Sequence, residues 1–356
     1  MIPRPLVADD SVFDDEHLPR RLQHRDGAVS TLSTAIEPTL RGDEGDDVLI
    51  AGPSGVGKTA LSLFTLGKLD ERAAIDYAHI GCLGSKAIDI YHAILREVGG
   101  TVASLDASTE DCRRSLREAI DRPTIVVLDE AAGLLEPRVI QGLLGIPQLS
   151  VVVICHDPDD WLANAPDRVR DHFGGADIVL SRYGVDELAD ILRDRARVGL
   201  QDGAVSQPQL ESIADETAGV ARYGIQALFA AAEIADEHDR DTILDEDIEA
   251  AYPVARQRIR RWNLESLGYH HHVLYTIIYR SVTIDGGKLH DEYDRVAEQL
   301  YSGHSLTPVV RRTRLYKLEK LKEYDLITYD GPKQSRTYRV MDRDVEPPLD
   351  LPAIRP

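Results

Sequence analysis

The sequence predicts an α/β fold that continues into an all-helical region and then into a small region of helices and a hairpin. Three observations lead to this prediction. Short apolar runs typical of buried strands alternate with helical patterns up to about residue 182. The strands then stop, and residues 183–262 show helical periodicity alone. From 263 to 345 the pattern is three helices followed by two strand-like runs. Alternating strands and helices indicate a parallel sheet covered on both faces.

The predicted elements divide the 356 residues into five parts. They are an N-terminal arm (1–20), an α/β domain (21–182), a helical domain (183–262), a helix-and-hairpin domain (263–345) and a tail (346–356). Buried strands are predicted at 47–51, 73–80, 124–128 and 150–155. Helices of the α/β domain are predicted over 21–41, 60–69, 85–97 and 109–121. The helical domain is expected to contain four helices over 185–260, with breaks near Gly199, Gly219 and residues 239–241.

Composition excludes several classes of protein. Hydrophobic residues make up 43% of the chain, enough for a packed core. No apolar run approaches the length of a membrane span, and the first 30 residues, with five Asp and one Glu, show no secretory signal. The three cysteines form no CxxC pair and are expected to be reduced thiols. We therefore expect a cytoplasmic protein that does not associate with membranes.

The charge is both large and uneven. The net charge is −20, and only 8 of the 41 basic residues are lysine, a composition that resembles the acidic proteins of salt-accumulating halophiles. An ordinary acidic protein is the alternative. Residues 1–254 carry a net charge of −24, whereas residues 255–346 carry 17 basic and 13 acidic residues. This local basic excess predicts that the C-terminal domain binds nucleic acid.

A phosphate-binding loop follows the first predicted strand. Residues 52–59 fit the pattern GxxxxGK[ST], in which glycines let successive backbone N–H groups surround phosphate oxygens. The following helix adds the positive end of its dipole. The predicted nucleotide-binding residues here are Gly52, Pro53, Ser54, Gly55, Val56, Gly57, Lys58, Thr59 and Ala60. Lys58 would supply charge to the β and γ phosphates and Thr59 would ligate Mg²⁺, so the expected cofactors are ATP or ADP with Mg²⁺.

An acidic pair ends the third predicted strand. Asp129 is expected to hold Mg²⁺ together with Thr59, because it stands at the carboxyl end of a strand beside the phosphate loop. Glu130, the next residue, would orient a water molecule and accept its proton, which predicts hydrolysis rather than phosphoryl transfer to another substrate.

Basic side chains are concentrated on one predicted C-terminal helix. Thr307-Pro308 is a favourable helix start, and a helical wheel of 309–321 places Val310 with three leucines on one side. The opposite side and its flanks are basic. A hairpin with a basic tip follows, so the order of elements predicts a winged-helix domain that binds double-stranded DNA. A protein-binding winged helix is the alternative. The predicted DNA contacts are Arg311, Arg312, Arg314, Tyr316, Lys317, Lys320, Lys333 and Arg336.

Three consecutive histidines, 270–272, invite a metal interpretation. On a helix they would point about 100° apart and would not converge on one ion, so we predict no metal site there.

Taken in order, these motifs resemble the archaeal Orc/Cdc-type replication initiators, an AAA+ family related to the eukaryotic origin recognition complex. The resemblance extends from about residue 13 to 341. Besides the phosphate loop and the acidic pair, it rests on three segments: Phe13…Leu18-Pro19…His24-Arg25-Asp26, Val179-Leu180-Ser181-Arg182-Tyr183…Arg195, and Gly219-Val220-Ala221-Arg222.

The resemblance implies further roles. Arg25 and Tyr183 would lie near the nucleotide, and Arg222 would reach from the helical lid to the phosphates. Arg168 would act as an arginine finger towards a neighbouring subunit, with Arg170 as the alternative residue. His156 stands at the sensor-1 position, where the family has Asn. This departure, together with Gly81 in place of an Asn and the Asp129-Glu130-Ala131-Ala132 sequence, suggests slow hydrolysis and a diverged paralogue.

The resemblance implies a replication initiator that binds origin DNA when ATP is bound, assembles with copies of itself or paralogues, and helps to recruit the replicative helicase. Two alternatives remain. One is an ATP-binding DNA-binding regulator, or a plasmid replication or partition factor, with little hydrolysis. The other is a clamp-loader-like or remodelling ATPase, which the predicted winged helix disfavours.

Overall fold

The structure, a computed structural model, describes residues 5–71, 75–101, 107–303, 306–332 and 335–351. The chain divides into two compact units, one up to Ala251 and the other from Tyr252. The strands of the first unit are β1 (Val48–Ala51), β2 (Asp76–Gly81), β3 (Thr124–Asp129), β4 (Leu149–Cys155) and β5 (Ile178–Val179). Its helices before the lid are α1 (Asp26–Ile36), α2 (Lys58–Asp70), α3 (Ala87–Glu97), α4 (Thr109–Ala119), α5 (Arg138–Leu143), α6 (Pro158–Asn164) and α7 (Asp167–Phe173).

The five strands form one parallel sheet in the order β2-β3-β4-β1-β5, which confirms the predicted parallel sheet. Every residue of β3 and β4 is buried, and alternate residues face opposite layers: Val126 and Leu128 pack with α3 and α4, whereas Ile125 and Val127 pack with α1 and α2. Because β4 lies between β1 and β3, the loops that follow these three strands meet at one edge of the sheet.

Several elements of the α/β region differ from the prediction. The two-residue strand β5 and the short helices α5, α6 and α7 were not predicted, because six or seven residues are too few to establish a helical period. The helix predicted over 21–41 is instead α1 followed by a 3₁₀ segment, Glu37–Arg41. Strand β2 begins at Asp76, and part of the predicted strand at 73–80 lies outside the described residues.

Four helices form the lid, as predicted: α8 (Val185–Gly199), α9 (Gln207–Glu216), α10 (Ala221–Glu237) and α11 (Asp245–Ser266), the last of which ends in the second unit. Helix α9 begins with a reciprocal cap, in which Ser206 and Gln209 bond each other. The break before α10 depends on Gly219, whose φ is 72° and whose Cβ, if present, would collide with the carbonyl oxygen of Tyr183.

Part of the predicted N-terminal arm packs against the lid. Phe13 is buried and stacks on Phe229 of α10 with ring centroids 4.9 Å apart, and its carbonyl accepts a 2.7 Å hydrogen bond from Gln226. Arg195 of α8 donates to the carbonyls of Val12 (2.5 Å) and His17 (3.1 Å). Residues 5–17 are therefore a structural part of the lid, although they precede the α/β core in the chain.

The second unit contains the three predicted helices and the hairpin. The helices are α12 (Tyr269–Ser281), α13 (Gly286–Tyr301) and α14 (Arg311–Glu323), and the strands are β6 (Ile284–Asp285), β7 (Ile327–Asp330) and β8 (Thr337–Val340). The strands form an antiparallel sheet in the order β6-β8-β7. Strand β6 was not predicted, since a two-residue strand has no periodicity of its own.

Candidate nucleotide site and nucleic-acid surface

The phosphate loop has the predicted context, with β1 before it and α2 beginning at Lys58. The loop turns sharply, and Gly57 adopts φ 92° as the N-cap of α2. A Cβ on Gly55 would lie 2.8 Å from a methyl group of Val220 in the lid, so the loop and the lid are in direct contact. Side chains at 52–60 range from buried at Val56 to exposed at Ser54 and Thr59.

The lysine and threonine of the loop hold it together. Nζ of Lys58 donates to the carbonyls of Gly52 (2.7 Å) and Pro53 (2.8 Å). Oγ1 of Thr59 donates a 2.6 Å hydrogen bond to Oδ2 of Asp129. The two predicted Mg²⁺ ligands are therefore adjacent, at the sheet edge where β3 ends.

His79 of β2 is part of this site and was missed by the sequence reasoning. Its Nε2 lies 3.2 Å from the same Asp129 oxygen that Thr59 contacts. Burial raises the pKa of Asp129, but the hydrogen bonds from His79 and Thr59 outweigh it, so the net pKa lies below the ordinary value. A signal existed in the sequence: His79 interrupts an apolar run in the strand beside β3.

Glu130 directly follows β3 in a backbone conformation that non-glycine residues rarely adopt, with φ 54° and ψ 43°. Its backbone N–H donates to Oδ1 of Asp129 at 2.8 Å, which orients the Asp129 carboxylate against the turn after β3. A strained backbone stabilised by its surroundings is common at functional sites.

His156 follows β4, between the phosphate loop and β3. Its backbone carbonyl accepts a 3.2 Å hydrogen bond from the N–H of Gly52, which fixes the chain beside the loop. Its imidazole is exposed and bonds to none of the residues that the structure describes. The structure places His156 beside the phosphate loop through its backbone, and its sensor-1 role stays a prediction.

Arg25 and Tyr183 meet beside the phosphate loop. The Arg25 guanidinium lies over the Tyr183 ring, 3.9 Å from its centroid, and Nη2 donates to the carbonyls of Ser181 (2.6 Å) and Val56 (3.4 Å). Burial raises the pKa of the Tyr183 phenol, which the charge of Arg25 partly offsets. Nε of Arg25 is buried without a hydrogen-bond partner among the described residues.

Arg222 is placed by the first turn of α10. Its backbone N–H donates to the carbonyl of Gly55 at 3.2 Å. Its guanidinium forms an ion pair with Asp15, with Nη2 2.5 Å from Oδ2. The structure therefore brings the predicted lid arginine to the phosphate loop.

Arg168 does not join this cluster. It is exposed on α7 and, with Arg138 of α5, lines a groove of about 730 Å³. It forms no ion pair with the described residues, whereas Arg170, the alternative finger, is paired with Asp167. Of the two candidate finger residues, Arg168 is therefore the one without an ion pair in the described chain, and the role of either stays a prediction.

The predicted DNA-binding residues of the second unit differ in exposure and in pairing. Arg311, Arg312 and Tyr316 are exposed on α14, with Tyr316 58% exposed. Lys320 pairs with Glu323 and lies over the Tyr324 ring, and Arg336 pairs with Glu319 and lies over the Tyr329 ring. Lys333 lies outside the described residues.

The helical wheel was wrong for Arg314 and Lys317, which are buried. Arg314 stacks on Tyr293, donates to the Val309 carbonyl (2.9 Å) and pairs with Asp294. Lys317 is 6% exposed, and burial lowers its pKa to about 8. Both residues lie on the same helix face as the buried Leu318 and Leu321, whereas Val310, the N-cap of α14, is 69% exposed.

The three histidines at 270–272 turn to different surroundings. His270 bonds the Tyr301 hydroxyl (2.6 Å), and His272 bonds the carbonyl of Leu264 (2.8 Å). His271 is buried. The loss of hydration, together with the nearby charge of Lys317, lowers its pKa to about 2. The described part of the chain contains no group of three or more His, Cys, Asp or Glu side chains that could hold a metal ion, and no helix long and apolar enough to cross a membrane.

The chain is similar to known DNA replication proteins. The family model of the Cdc6 AAA+ ATPase-type lid domain matches residues 189–253. ORC1-type DNA replication protein 9 of Halobacterium salinarum is 28% identical over 96% of each chain. ORC1-type DNA replication protein 1 of the same organism is 31% identical over 81% of this chain and 95% of its own length.

Among solved structures, the Aeropyrum pernix ORC1 protein in complex with DNA is similar with a TM-score of 0.73 and 20% identity, over 95% of this chain and 94% of that one. Cdc6p from Pyrobaculum aerophilum is similar with a TM-score of 0.65 and 22% identity, over 94% of each chain. These structures share the fold. By the identity and coverage of its Halobacterium relatives, the chain belongs to the ORC1-type DNA replication proteins, the archaeal Orc/Cdc6 initiators of the AAA+ class.

Proposed function

We propose that this protein is an ATP-dependent replication initiator that binds origin DNA and changes state on nucleotide binding and slow hydrolysis. The observation that carries the proposal is the hydrogen bond from the Arg222 N–H to the Gly55 carbonyl. It places the lid on the loop that would hold phosphate, so nucleotide binding at the loop would be transmitted to the lid.

The residues present fit a nucleoside triphosphate. The loop amides, Lys58 and Arg222 would hold the phosphates, and Arg25 with Tyr183 would flank the nucleotide. The buried Nε of Arg25 has no partner in the described chain, and an orphaned donor of this kind is costly unless a ligand satisfies it. Solved relatives support the assignment: the Aeropyrum pernix ORC2 protein was solved as ADPNP and ADP complexes.

Thr59 and Asp129 would hold Mg²⁺, as their 2.6 Å contact suggests. The ion would neutralise phosphate charge. Glu130 would accept a proton from a water molecule, and its fixed backbone would limit where that water lies. His156 would need to rotate inward to donate a hydrogen bond to phosphate or water, which is why slow hydrolysis is proposed.

The second unit would bind double-stranded DNA as a winged-helix domain. The order α12, β6, α13, α14, β7, β8 is that of a winged helix, with α14 as the recognition helix and the β7–β8 hairpin as the wing. Arg311, Arg312 and Tyr316 would make the contacts of the helix. Lys320, Lys333 and Arg336 would lie at the flank and the wing. Arg314 and Lys317, which are buried, would instead hold α14 against the interior of the domain.

Arg168 would reach the nucleotide of a neighbouring copy or paralogue, since it is exposed in a groove beside Arg138 and has no ion-pair partner in the described chain. Such an assembly would help to recruit the replicative helicase. The acidic composition and the relatives from Halobacterium salinarum and Haloarcula marismortui support a halophilic source organism.

A second candidate function is an ATP-binding DNA-binding regulator with little hydrolysis. The exposed His156 imidazole, which bonds to no described residue, favours it. Genome-wide mapping of the bound DNA separates the two functions. One peak at a replication start, lost in the Lys58→Ala variant, supports the initiator. Peaks at promoters without a peak at a replication start would replace it by the regulator.

A further inference from the structure

The guanidinium of Arg222 is already engaged within the first unit. Its Nη2 lies 2.5 Å from Oδ2 of Asp15, a residue more than 200 positions earlier in the chain. The Arg222 side chain is only 24% exposed, and its Cβ lies 3.3 Å from the position that a Cβ on Gly55 would occupy. The ion pair therefore forms directly beside the phosphate loop.

The segment that carries Asp15 is hydrogen-bonded to the lid on both sides of this residue. On one side of Asp15, the Phe13 carbonyl is bonded to Gln226, one helical turn after Arg222 on α10. On the other side, the His17 carbonyl is bonded to Arg195. Burial lowers the pKa of Arg195 to about 10, an effect that the negative charge of Asp15 opposes, so Asp15 lies close to this second arginine as well.

This arrangement determines what the ion pair does. Because residues 13–17 are bonded to α8 and α10, Asp15 moves with the lid and is not a tether between the lid and the sheet. Because Nη2 bonds a carboxylate held by the lid, the plane of the guanidinium is oriented beside the phosphate loop.

We propose that Asp15 is a positioning residue: it orients Arg222 so that the lid distinguishes a nucleoside triphosphate from a diphosphate. This inference rests on the proposed nucleotide-sensing role of Arg222. Orientation by a fixed partner lowers the conformational entropy that a long side chain loses on binding. The effect should concern the terminal phosphate, so ATP affinity depends on Asp15 and ADP affinity does not.

The test compares equilibrium affinities for ATP and ADP in the full chain, by competition with a fluorescent ADP analogue in the presence of Mg²⁺. Asp15→Asn should lower the preference for ATP over ADP by roughly ten- to a hundredfold, the size of one hydrogen bond to a charged group. Asp15→Glu, which keeps the charge, should restore most of the preference. Glu16→Gln is the matched control, because Glu16 forms no hydrogen bond or ion pair with the described residues.

A double-mutant cycle separates positioning from general damage. If Asp15 acts through Arg222, Asp15→Asn should not change the ATP preference in an Arg222→Ala background. An equal loss with and without Arg222 would overturn the inference, as would an unchanged or increased ATP preference in Asp15→Asn. If Arg222→Ala alone leaves the preference unchanged, the proposed sensing role of Arg222 itself fails, and the inference fails with it.

Discussion

The hydroxyl of Thr59 donates a 2.6 Å hydrogen bond to the carboxylate of Asp129, which joins the start of α2 to the end of β3. Two motifs 70 residues apart thus form one site before any ligand is considered. His79 contacts the same carboxylate from β2, so three separate elements fix the orientation of Asp129.

Lys58→Ala should abolish nucleotide binding or weaken it at least tenfold, because no other residue of the loop carries a charge to the phosphates. Binding of a fluorescent ADP analogue measures this. Lys68→Ala, at the far end of the same helix, is the control and should bind as the parent does. Unchanged affinity in Lys58→Ala would reject the phosphate-loop assignment.

Glu130→Gln should leave ATP bound and reduce turnover by two or more orders of magnitude, as expected for loss of a general base. The substitution keeps the shape of the side chain, so the strained backbone at φ 54° should be retained. Nucleotide affinity and phosphate release are measured on the same preparation. Hydrolysis at the parent rate would show that Glu130 does not activate water.

Lys317→Met should stabilise the second unit by about 1–3 kcal/mol at pH 7, since Lys317 is buried and its pKa falls from 10.5 to about 8 on folding. Between pH 8 and pH 10.5 the unfolded chain binds more protons at Lys317 than the folded chain does. The free energy of unfolding of the parent therefore increases as the pH rises from about 8 to 10.5. The Met variant should lack this gain. Urea unfolding followed by Trp262 fluorescence, in a Trp161→Phe background, reports on this unit. Reduced stability of Lys317→Met would contradict the expected burial cost.

His271 should make the second unit sensitive to acid. It stays neutral in the folded state because its pKa is lowered to about 2, whereas the unfolded chain takes up a proton near pH 6.5. Stability should therefore fall by about 1.4 kcal/mol for each pH unit below 6.5. His271→Leu should make the free energy of unfolding less dependent on pH between pH 6 and 4. The expected reduction corresponds to one bound proton, about 1.4 kcal/mol per pH unit, in the same fluorescence assay. His156→Leu, at an exposed position of the first unit, should leave the slope unchanged.

Arg312→Ala should weaken DNA binding and lower the slope of log affinity against log salt by about 0.9, as expected for one lost phosphate contact on B-DNA. Tyr316→Ala should lower affinity by a similar factor at every salt concentration, since an aromatic contact displaces no counterion. The assay is a titration in dilute and in molar potassium chloride on a fragment that carries the mapped site. Arg261→Ala, an exposed arginine of α11, is the control. Equal affinity of all four proteins would leave α14 as a protein-binding helix.

The sequence predicted those parts of the fold and of the site that depend on residues close together in the chain. Residues 52–59 and the pair Asp129-Glu130 are short motifs whose spacing alone specifies a phosphate loop and an acidic strand end, and the four lid helices follow from periodicity and glycine breaks. The position of α14 along the chain was also predicted.

The spacing of α14 contained its orientation, but the basic character of two residues pointed the other way. Arg314 precedes Leu318 by four residues and Leu321 by seven, and Lys317 precedes Leu321 by four, so all four lie on one helix face. Charged heads suggest an exposed position, whereas the long aliphatic stems of these residues allow them to be buried. Contacts between distant segments were missed for a different reason: neither His79 with Asp129 nor Asp15 with Arg222 leaves a periodic signal.

The packing of residues 5–17 on the lid also affects how the chain folds during synthesis. Phe13 leaves the ribosome 213 residues before Gln226, its hydrogen-bond partner. At about 5–20 residues per second, the apolar side chains of Leu6, Val12 and Phe13 wait roughly 10–40 seconds for the helices that bury them. The sheet can assemble during that interval, whereas the lid cannot close its core until α10 has been translated and the first residues of the chain return to it.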